Sequence, residues 1–340
     1  MIKVQNYVNG NFVSTEETIE DINPATGKII ANIPRSKPVD VQKAILAADN
    51  AREYWSNLNL DDRRFWLEKI ADALESRAEE IAKLESLDTG KPIKLARAVD
   101  ASRSVANFRF FAEFSKDFVG EKFEMDDATN HVIYKPAGVA GLITPWNLPL
   151  YLLSWKIAPA IVMGNTVVAK PSELTPLTAN LLADVIHEIG LPQGVVNIVH
   201  GLGHEAGQTI VSHPKVNLIS FTGGTITGKK VAETAAPMFK KLSLELGGKN
   251  ATIVLDDVNI DSAIPEIARS GFLNQGQVCL CGSRILISHE IWDEFVEKFV
   301  AYIKSMKVGD PLSDDSDLGA LVSLSHRDKV ESYIHLAQRE

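Results

Sequence analysis

Gly138-Val139-Ala140-Gly141-Leu142-Ile143-Thr144-Pro145-Trp146-Asn147-Leu148-Pro149 opens the part of the chain whose reading decides the fold. Val139 to Thr144 is a short apolar run with no alternating polar face, which predicts a strand buried on both sides. Two prolines punctuate its end, and Pro149 to Ala160 has a helical pattern. The alternation then continues. Strands are expected at Thr166 to Ala169, Val195 to His200 and Leu218 to Phe221, with helices at Thr175 to Ile189, Glu205 to Val211 and Gly228 to Ala235. Such a chain predicts an α/β fold: a parallel sheet covered on both faces, with ligands at the carboxyl ends of its strands. After Leu242 to Leu246 a second set begins at Ala251 to Leu255, with helices at Ile260 to Phe272 and Glu290 to Met306 around a strand at Ile285 to Ile287.

Towards the N-terminus, Tyr7-Val8-Asn9-Gly10-Asn11-Phe12-Val13 reads as a hairpin, because Asn-Gly between alternating apolar residues favours a tight turn. Asn23 to Lys28 repeats that logic before the apolar run Ile29 to Ile33. Helices are expected over Asp40 to Trp55, from Asp61 as cap through about Ser76, and over Ala78 to Leu87. A long one runs from Ile93 to about Lys116, carrying Arg103 and Arg109. Phe118 to Lys135 has an acidic turn, Asp126-Asp127, between extended segments. It reads as a projecting hairpin, equally compatible with an intersubunit arm or an ordinary surface hairpin.

The 340 residues suffice for two domains and a large core. A formal net charge of -9 argues against nucleic acid or an anionic membrane as partner. Two cysteines, Cys279 and Cys281, cannot form a disulfide framework, which predicts a reducing, cytoplasmic setting. Met1 to Asn11 lacks the pattern of a signal peptide, and no apolar run approaches a membrane span.

The stretch Gly271-Phe272-Leu273-Asn274-Gln275-Gly276-Gln277-Val278-Cys279-Leu280-Cys281-Gly282-Ser283-Arg284 presents a thiol in a polar, glycine-broken loop just before an apolar strand. That is how a nucleophile is displayed, and also how a small apolar residue enters a strand. Phe221-Thr222-Gly223-Gly224-Thr225-Ile226-Thr227-Gly228-Lys229-Lys230 follows a strand and opens a helix, as a phosphate cradle does. It nearly satisfies the P-loop pattern, but Lys230 stands where a magnesium-holding hydroxyl is needed. Gly201-Leu202-Gly203 with Gly207 has the wrong spacing for a dinucleotide fingerprint. Glu245, in Leu242-Ser243-Leu244-Glu245-Leu246-Gly247-Gly248-Lys249, is either a base with a raised pKa among leucines or a strand residue facing water. Asn147, between two prolines, is either a rigid oxyanion donor or a helix cap. Lys170 and Glu173 either clasp a ribose or cap a helix. The histidines form no metal-ligand pattern, and no metal is expected.

Together, Pro145-Trp146-Asn147, Lys170-Pro171-Ser172-Glu173, Phe221-Thr222-Gly223 to Gly228, Leu244 to Lys249 and Asn274-Gln275-Gly276-Gln277-x-Cys279 resemble the aldehyde dehydrogenase superfamily, in its order and along the whole chain. The resemblance implies a Rossmann-like NAD-binding domain (1–117 and 137–246), a bridging oligomerisation hairpin (118–136) and an α/β catalytic domain (247–340, its first part). It implies that Cys279 attacks the aldehyde, that Asn147 and the Cys279 N–H hold the oxyanion, and that Glu245 activates the water that hydrolyses the thioester. It places NAD on Thr144, Trp146, Lys170, Ser172, Glu173, Gly223, Gly224, Gly228, Leu246 and Gly247. Glu173 favours NAD over NADP because a carboxylate accepts from a 2′-hydroxyl and repels a 2′-phosphate.

Pro145 to Lys156, Val278 to Cys281 and Asn107-Phe108-Arg109-Phe110-Phe111 look most like the branch acting on 2-aminomuconate and 2-hydroxymuconate semialdehydes. Tyr151, Leu152 and Trp155 are then expected to line the substrate tunnel. Arg103, with Arg109 second, is expected to bind a distal carboxylate. General apolar or betaine-type aldehydes are the competing substrates, and a catalytically silent NAD-binding fragment the competing role. Gly224 stands where the family usually has serine. The resemblance also implies a continuation beyond Glu340, with a Glu-x-Phe-Gly-Pro segment and a subunit-pairing strand. The chain as written is therefore expected to turn over little alone, and to form a homodimer or homotetramer at full length.

Overall fold

The unbroken apolar runs become the centre of a seven-stranded sheet. In the computed structural model, which describes residues 1–118 and 120–340, every residue of the strands Val139–Ile143 and Thr166–Lys170 is buried. The strand order is Lys241–Leu246, Val216–Gly223, Val139–Ile143, Thr166–Lys170, Val196–Ile198, Asn6–Val8, Asn11–Val13. The first five are parallel. The last two form an antiparallel hairpin on the edge, turned through Asn9 and Gly10 at φ of 50° and 77°, the paired left-handed residues that a two-residue turn requires.

Both faces are covered, so the sheet has two cores. On one side Leu67, Ile70, Phe108, Leu150, Ile157 and Leu182 pack from helices Leu60–Ser76, Ser102–Phe114, Pro149–Val162 and Leu177–Glu188. On the other, Val41, Ile45 and Ala48 of Pro38–Asn57 join Val231 and Ala235 of Thr225–Ala235. The fold is the α/β, Rossmann-like arrangement expected. From the central strand Val139–Ile143 the chain goes to one side for two strands, then crosses back to Val216–Gly223 on the other. The strand order reverses there, and a crevice opens at the carboxyl ends of these neighbours.

Residues beyond Gly247 build a parallel pair, Ala251–Val254 with Arg284–Ile287, and helices Ile260–Phe272, Trp292–Ser305 and Leu324–Ala337. Val254, Ile264, Ile267 and Phe295 form the core of the strand pair and the first two of these helices, while Leu324–Ala337 buries no residue. The hairpin is present as an exposed pair, Lys122–Glu124 with Thr129–His131. Val119, inside the segment expected to form it, lies outside the described residues.

Several local expectations change. Asn59, not Asp61, caps the helix Leu60–Ser76, its side chain accepting from the Asp62 N–H at 2.8 Å. The helix after Gly224 begins at Thr225, a turn earlier than Gly228. The long helix from Ile93 reaches Phe114 but takes π geometry over Ala96–Ala101. Asp100, on that turn, points inward to Lys91.

Candidate active site

Three loops from distant parts of the sequence meet at the crevice. The first leaves Val139–Ile143 and carries Asn147. Its carboxamide Nδ2 donates to the Gln277 carbonyl at 2.9 Å, and its backbone carbonyl accepts from Asn274 Nδ2 at 3.0 Å. The oxyanion-donor candidate is thereby tied to the cysteine loop from both ends. The cap reading of Asn147 finds no support: the N-cap of Pro149–Val162 is Leu148, without a side-chain bond.

The cysteine loop is held in a costly shape. Asn274, Gln275 and Gly276 have consecutive left-handed φ of 52°, 57° and 73°. For a residue such as Gln275 that conformation costs roughly 1–3 kcal/mol. Side chains compensate by anchoring the loop: Gln275 Nε2 donates to the Ala320 carbonyl at 2.7 Å, and Gln277 Oε1 accepts from the Val322 N–H at 3.1 Å. The outcome is an exposed Cys279 thiol, with Cys281 buried two residues on and its thiol pKa pushed up by burial.

The third loop follows Lys241–Leu246. Leu242, Leu244 and Leu246 face the helix core, so the two-residue period of a strand sends Ser243 and Glu245 to the opposite face. Of the two readings of Glu245 the structure matches the second: it is not enclosed by its flanking leucines but is an exposed strand residue, in register with Thr222. Gly228 allows the helix behind this strand to sit close, since a Cβ there would lie 2.5 Å from Leu246 Cδ2.

Asn147, Glu245 and Cys279 line one cavity of about 270 Å³ together with Trp146, Gly223, Gly224 and Gly247. Glu245, Cys279, Leu152 and Thr222 also line a second of about 550 Å³, bounded by Tyr151, Trp155 and Pro159. The thiol and the carboxylate thus stand where two cavities join, one mostly glycine and backbone, the other aromatic and aliphatic.

The first cavity and the strand ends beside it suit an anionic, ribose-bearing ligand, although Thr144, Lys170, Ser172 and Glu173 lie outside the cavity's own lining. The helix Thr225–Ala235 begins at Gly224 with no side-chain cap, leaving its first N–H groups free for a phosphate. The Thr144 hydroxyl is buried without a partner among the described residues. At the end of Thr166–Lys170, Lys170 Nζ donates to Glu173 Oε2 at 3.0 Å and to the Pro171 carbonyl, and burial lowers its pKa. Ser172 is buried and accepts from the Leu174 N–H at 3.2 Å. Lys229, the P-loop candidate, is 77% exposed and 3.8 Å from Glu233 on its own helix.

The arginines fare differently from expectation. Arg109 lies on the outer face of its helix, bound to Glu75 at 2.6 Å and Asp72 at 3.1 Å, and lines neither cavity at Cys279. Arg103 is exposed and, like Arg109, lines neither cavity; it lies one turn before Asn107, which donates to the Tyr151 carbonyl at 3.0 Å.

Three residues at the site were missed in the sequence. Lys156 lines the larger cavity, its pKa lowered to about 8 by burial against an opposing pull from Glu245. A lone charge in an otherwise apolar helix was the available signal. His326 lines the smaller cavity, its ring 4.8 Å from that of Trp146. Lys91, in the Thr89-Gly90-Lys91-Pro92 turn, reaches the Asn147 carbonyl at 3.1 Å. Nothing local marked the last two.

The model of the aldehyde dehydrogenase family matches residues 12–340. This chain belongs to the aldehyde dehydrogenase family. Over its whole length it is 46% identical to human 2-aminomuconic semialdehyde dehydrogenase, covering 70% of that protein. It is 43% identical to 2-hydroxymuconic semialdehyde dehydrogenase of Pseudomonas sp. strain CF600, covering 72%. Among solved structures, the NAD+ complex of an aldehyde dehydrogenase from Bacillus cereus superposes with a TM-score of 0.97 at 36% identity, over 99% of this chain and 70% of that one. As an aldehyde dehydrogenase the chain is an oxidoreductase acting on aldehydes, in keeping with a thiol, a carboxamide and a carboxylate around one cavity.

Proposed function

We propose that this chain oxidises an aldehyde of the muconic semialdehyde type to its carboxylic acid, with NAD as cofactor and Cys279 as nucleophile. The supporting observation is the shared lining of one cavity by Cys279, Asn147 and Glu245. Cys279, exposed at the junction of both cavities, attacks the aldehyde carbon to give a thiohemiacetal. The Asn147 carboxamide and the Cys279 N–H stabilise the oxygen, a contribution on the order of 10²–10³-fold in similar sites. Bound NAD would supply the hydride acceptor for the oxidation of the thiohemiacetal to a thioester on Cys279. Glu245 then takes a proton from the attacking water, and the acid departs.

Thr144, Trp146, Ser172 and the Lys170–Glu173 pair would hold the cofactor, with Gly223, Gly224, Gly228, Leu246 and Gly247 shaping the crevice. Tyr151, Leu152 and Trp155 form the aldehyde's apolar wall. Arg103 is the cation we assign to a distal carboxylate; Arg109 is too well paired for that role. The relatives named for muconic semialdehydes, at 46% and 43% identity, support this substrate over apolar or betaine-type aldehydes. We assign residues 1–117 and 137–246 to cofactor binding, 247–340 to catalysis and the exposed hairpin within 118–136 to assembly into a cytoplasmic homodimer or homotetramer.

The test is NADH formation from 2-hydroxymuconate semialdehyde. It should vanish in Cys279→Ala while NAD binding survives. NAD binding without NADH formation by the unaltered chain would instead favour a catalytically silent role.

A further inference from the structure

Lys91 is fully buried, and its ammonium donates to two acceptors and pairs with a third group by charge. Asp100 Oδ2 lies at 2.8 Å, the Asn147 backbone carbonyl at 3.1 Å and Glu85 Oε2 at 3.6 Å. Both carboxylates are as inaccessible as the lysine. Glu85 serves the same loop from its other side. Its Oε1 accepts from the Leu150 N–H at 3.0 Å and from the Thr178 hydroxyl at 2.8 Å. Leu150 is in the first turn of Pro149–Val162, whose N-cap supplies no acceptor of its own.

The carbonyl of Asn147 and the N–H three residues later are therefore gripped by members of one buried charge cluster. Stability alone gives no reason for such a cluster, because apolar groups filling the same space usually serve as well or better. The cluster also uses an uncommon backbone: Asp100 reaches Lys91 from the π-helical turn Ala96–Ala101, a geometry concentrated at functional sites.

We propose that Lys91 is a positioning residue for oxyanion binding. Through the Asn147 carbonyl it fixes the peptide from which the Asn147 carboxamide projects to the cysteine loop. The proposal rests on Asn147 being the oxyanion donor.

Four proteins separate the possibilities: the unaltered chain, Lys91→Met, Asn147→Ala and the double variant, assayed with NAD and 2-hydroxymuconate semialdehyde. Lys91→Met should lower kcat on the order of 100-fold, leaving the KM for NAD and iodoacetamide alkylation of Cys279 within about twofold. In the Asn147→Ala background the same change should cost nothing further. A full additional loss there would overturn the proposal while sparing the oxyanion reading. No loss in Asn147→Ala itself would overturn both.

Lys91→Met strands two buried carboxylates, so Lys91→Met/Asp100→Asn, which removes one charge of each sign, guards against simple unfolding. Its melting temperature should recover while kcat stays low. Recovery of both would make Lys91 structural and overturn the proposal. A crystal structure of this variant reads the geometry without turnover: the Asn147 carboxamide should leave the Gln277 carbonyl, and an unmoved carboxamide would also overturn it.

Discussion

Lys156 Nζ donates to Ser220 Oγ at 2.7 Å, joining the helix Pro149–Val162 to the strand Val216–Gly223 beneath the larger cavity. Burial is the main influence on this lysine, and it lowers the pKa from 10.5 to about 8, with Glu245 pulling the other way. The unfolded chain therefore binds a proton between those pH values that the folded chain releases. The resulting penalty is fully present below pH 8 and fades as pH rises through 10.5. Lys156→Met should raise stability at pH 7 by up to about 3 kcal/mol, with the gain shrinking towards pH 10.5. Turnover should fall, because a positive charge facing Glu245 is lost. Chemical denaturation across that pH range, beside kcat, checks the opposite signs.

Two glycines in the same crevice should respond in opposite ways. A Cβ at Gly228 would meet Leu246 Cδ2 at 2.5 Å, whereas one at Gly224 would meet nothing within 4 Å. Gly228→Ala should cost about 1–3 kcal/mol and weaken NAD binding by pushing the uncapped helix from the strand bearing Glu245. Gly224→Ser should leave stability within about 0.5 kcal/mol and tighten NAD binding through an added hydroxyl. Melting curves and NAD titrations distinguish the two.

Arg103 and Arg109 share a helix, and the proposed function gives only Arg103 a role. Arg109→Ala removes exposed ion pairs with Glu75 and Asp72, which contribute about 0–1 kcal/mol, and should leave the semialdehyde KM unchanged. Arg103→Ala should raise that KM without altering the KM for NAD. An unchanged semialdehyde KM in Arg103→Ala would remove the basis for a carboxylate-bearing substrate. The pairing of Arg109 is not visible in the sequence, which gives spacing on a helix, whereas the acidic partners come from Leu60–Ser76, thirty-odd positions away.

The same limit explains what else was legible. Val139–Ile143 and Thr166–Lys170 could be read because burial on both faces writes itself as a continuous apolar run. Cys279, Glu245 and Asn147 stood out because glycines and prolines mark the loops that carry Cys279 and Asn147 and the turn that follows Glu245. Lys91 and Asp100 did not, since a buried charge looks like a surface one until its partner is known. The helix starts at Thr225 rather than at Gly228, where close packing on Leu246, invisible in the sequence, is what calls for a glycine.

Gln275 combines a cost with an anchor, and the two can be measured apart. Its φ of 57° opposes any side chain, while its amide bonds the Ala320 carbonyl at 2.7 Å. Gln275→Ala keeps the strain and loses the anchor; Gln275→Gly loses both. If the strained shape is native and the anchor holds it, the alanine variant should be less stable than the glycine variant by roughly 1 kcal/mol. Both should slow turnover by loosening the loop that presents Cys279, and Gln275→Gly more so because its backbone gains freedom. Denaturant midpoints give the stability order, and iodoacetamide alkylation rates report the thiol's presentation. Equal stability of the two variants would mean that the left-handed turn at Gln275 is not under strain.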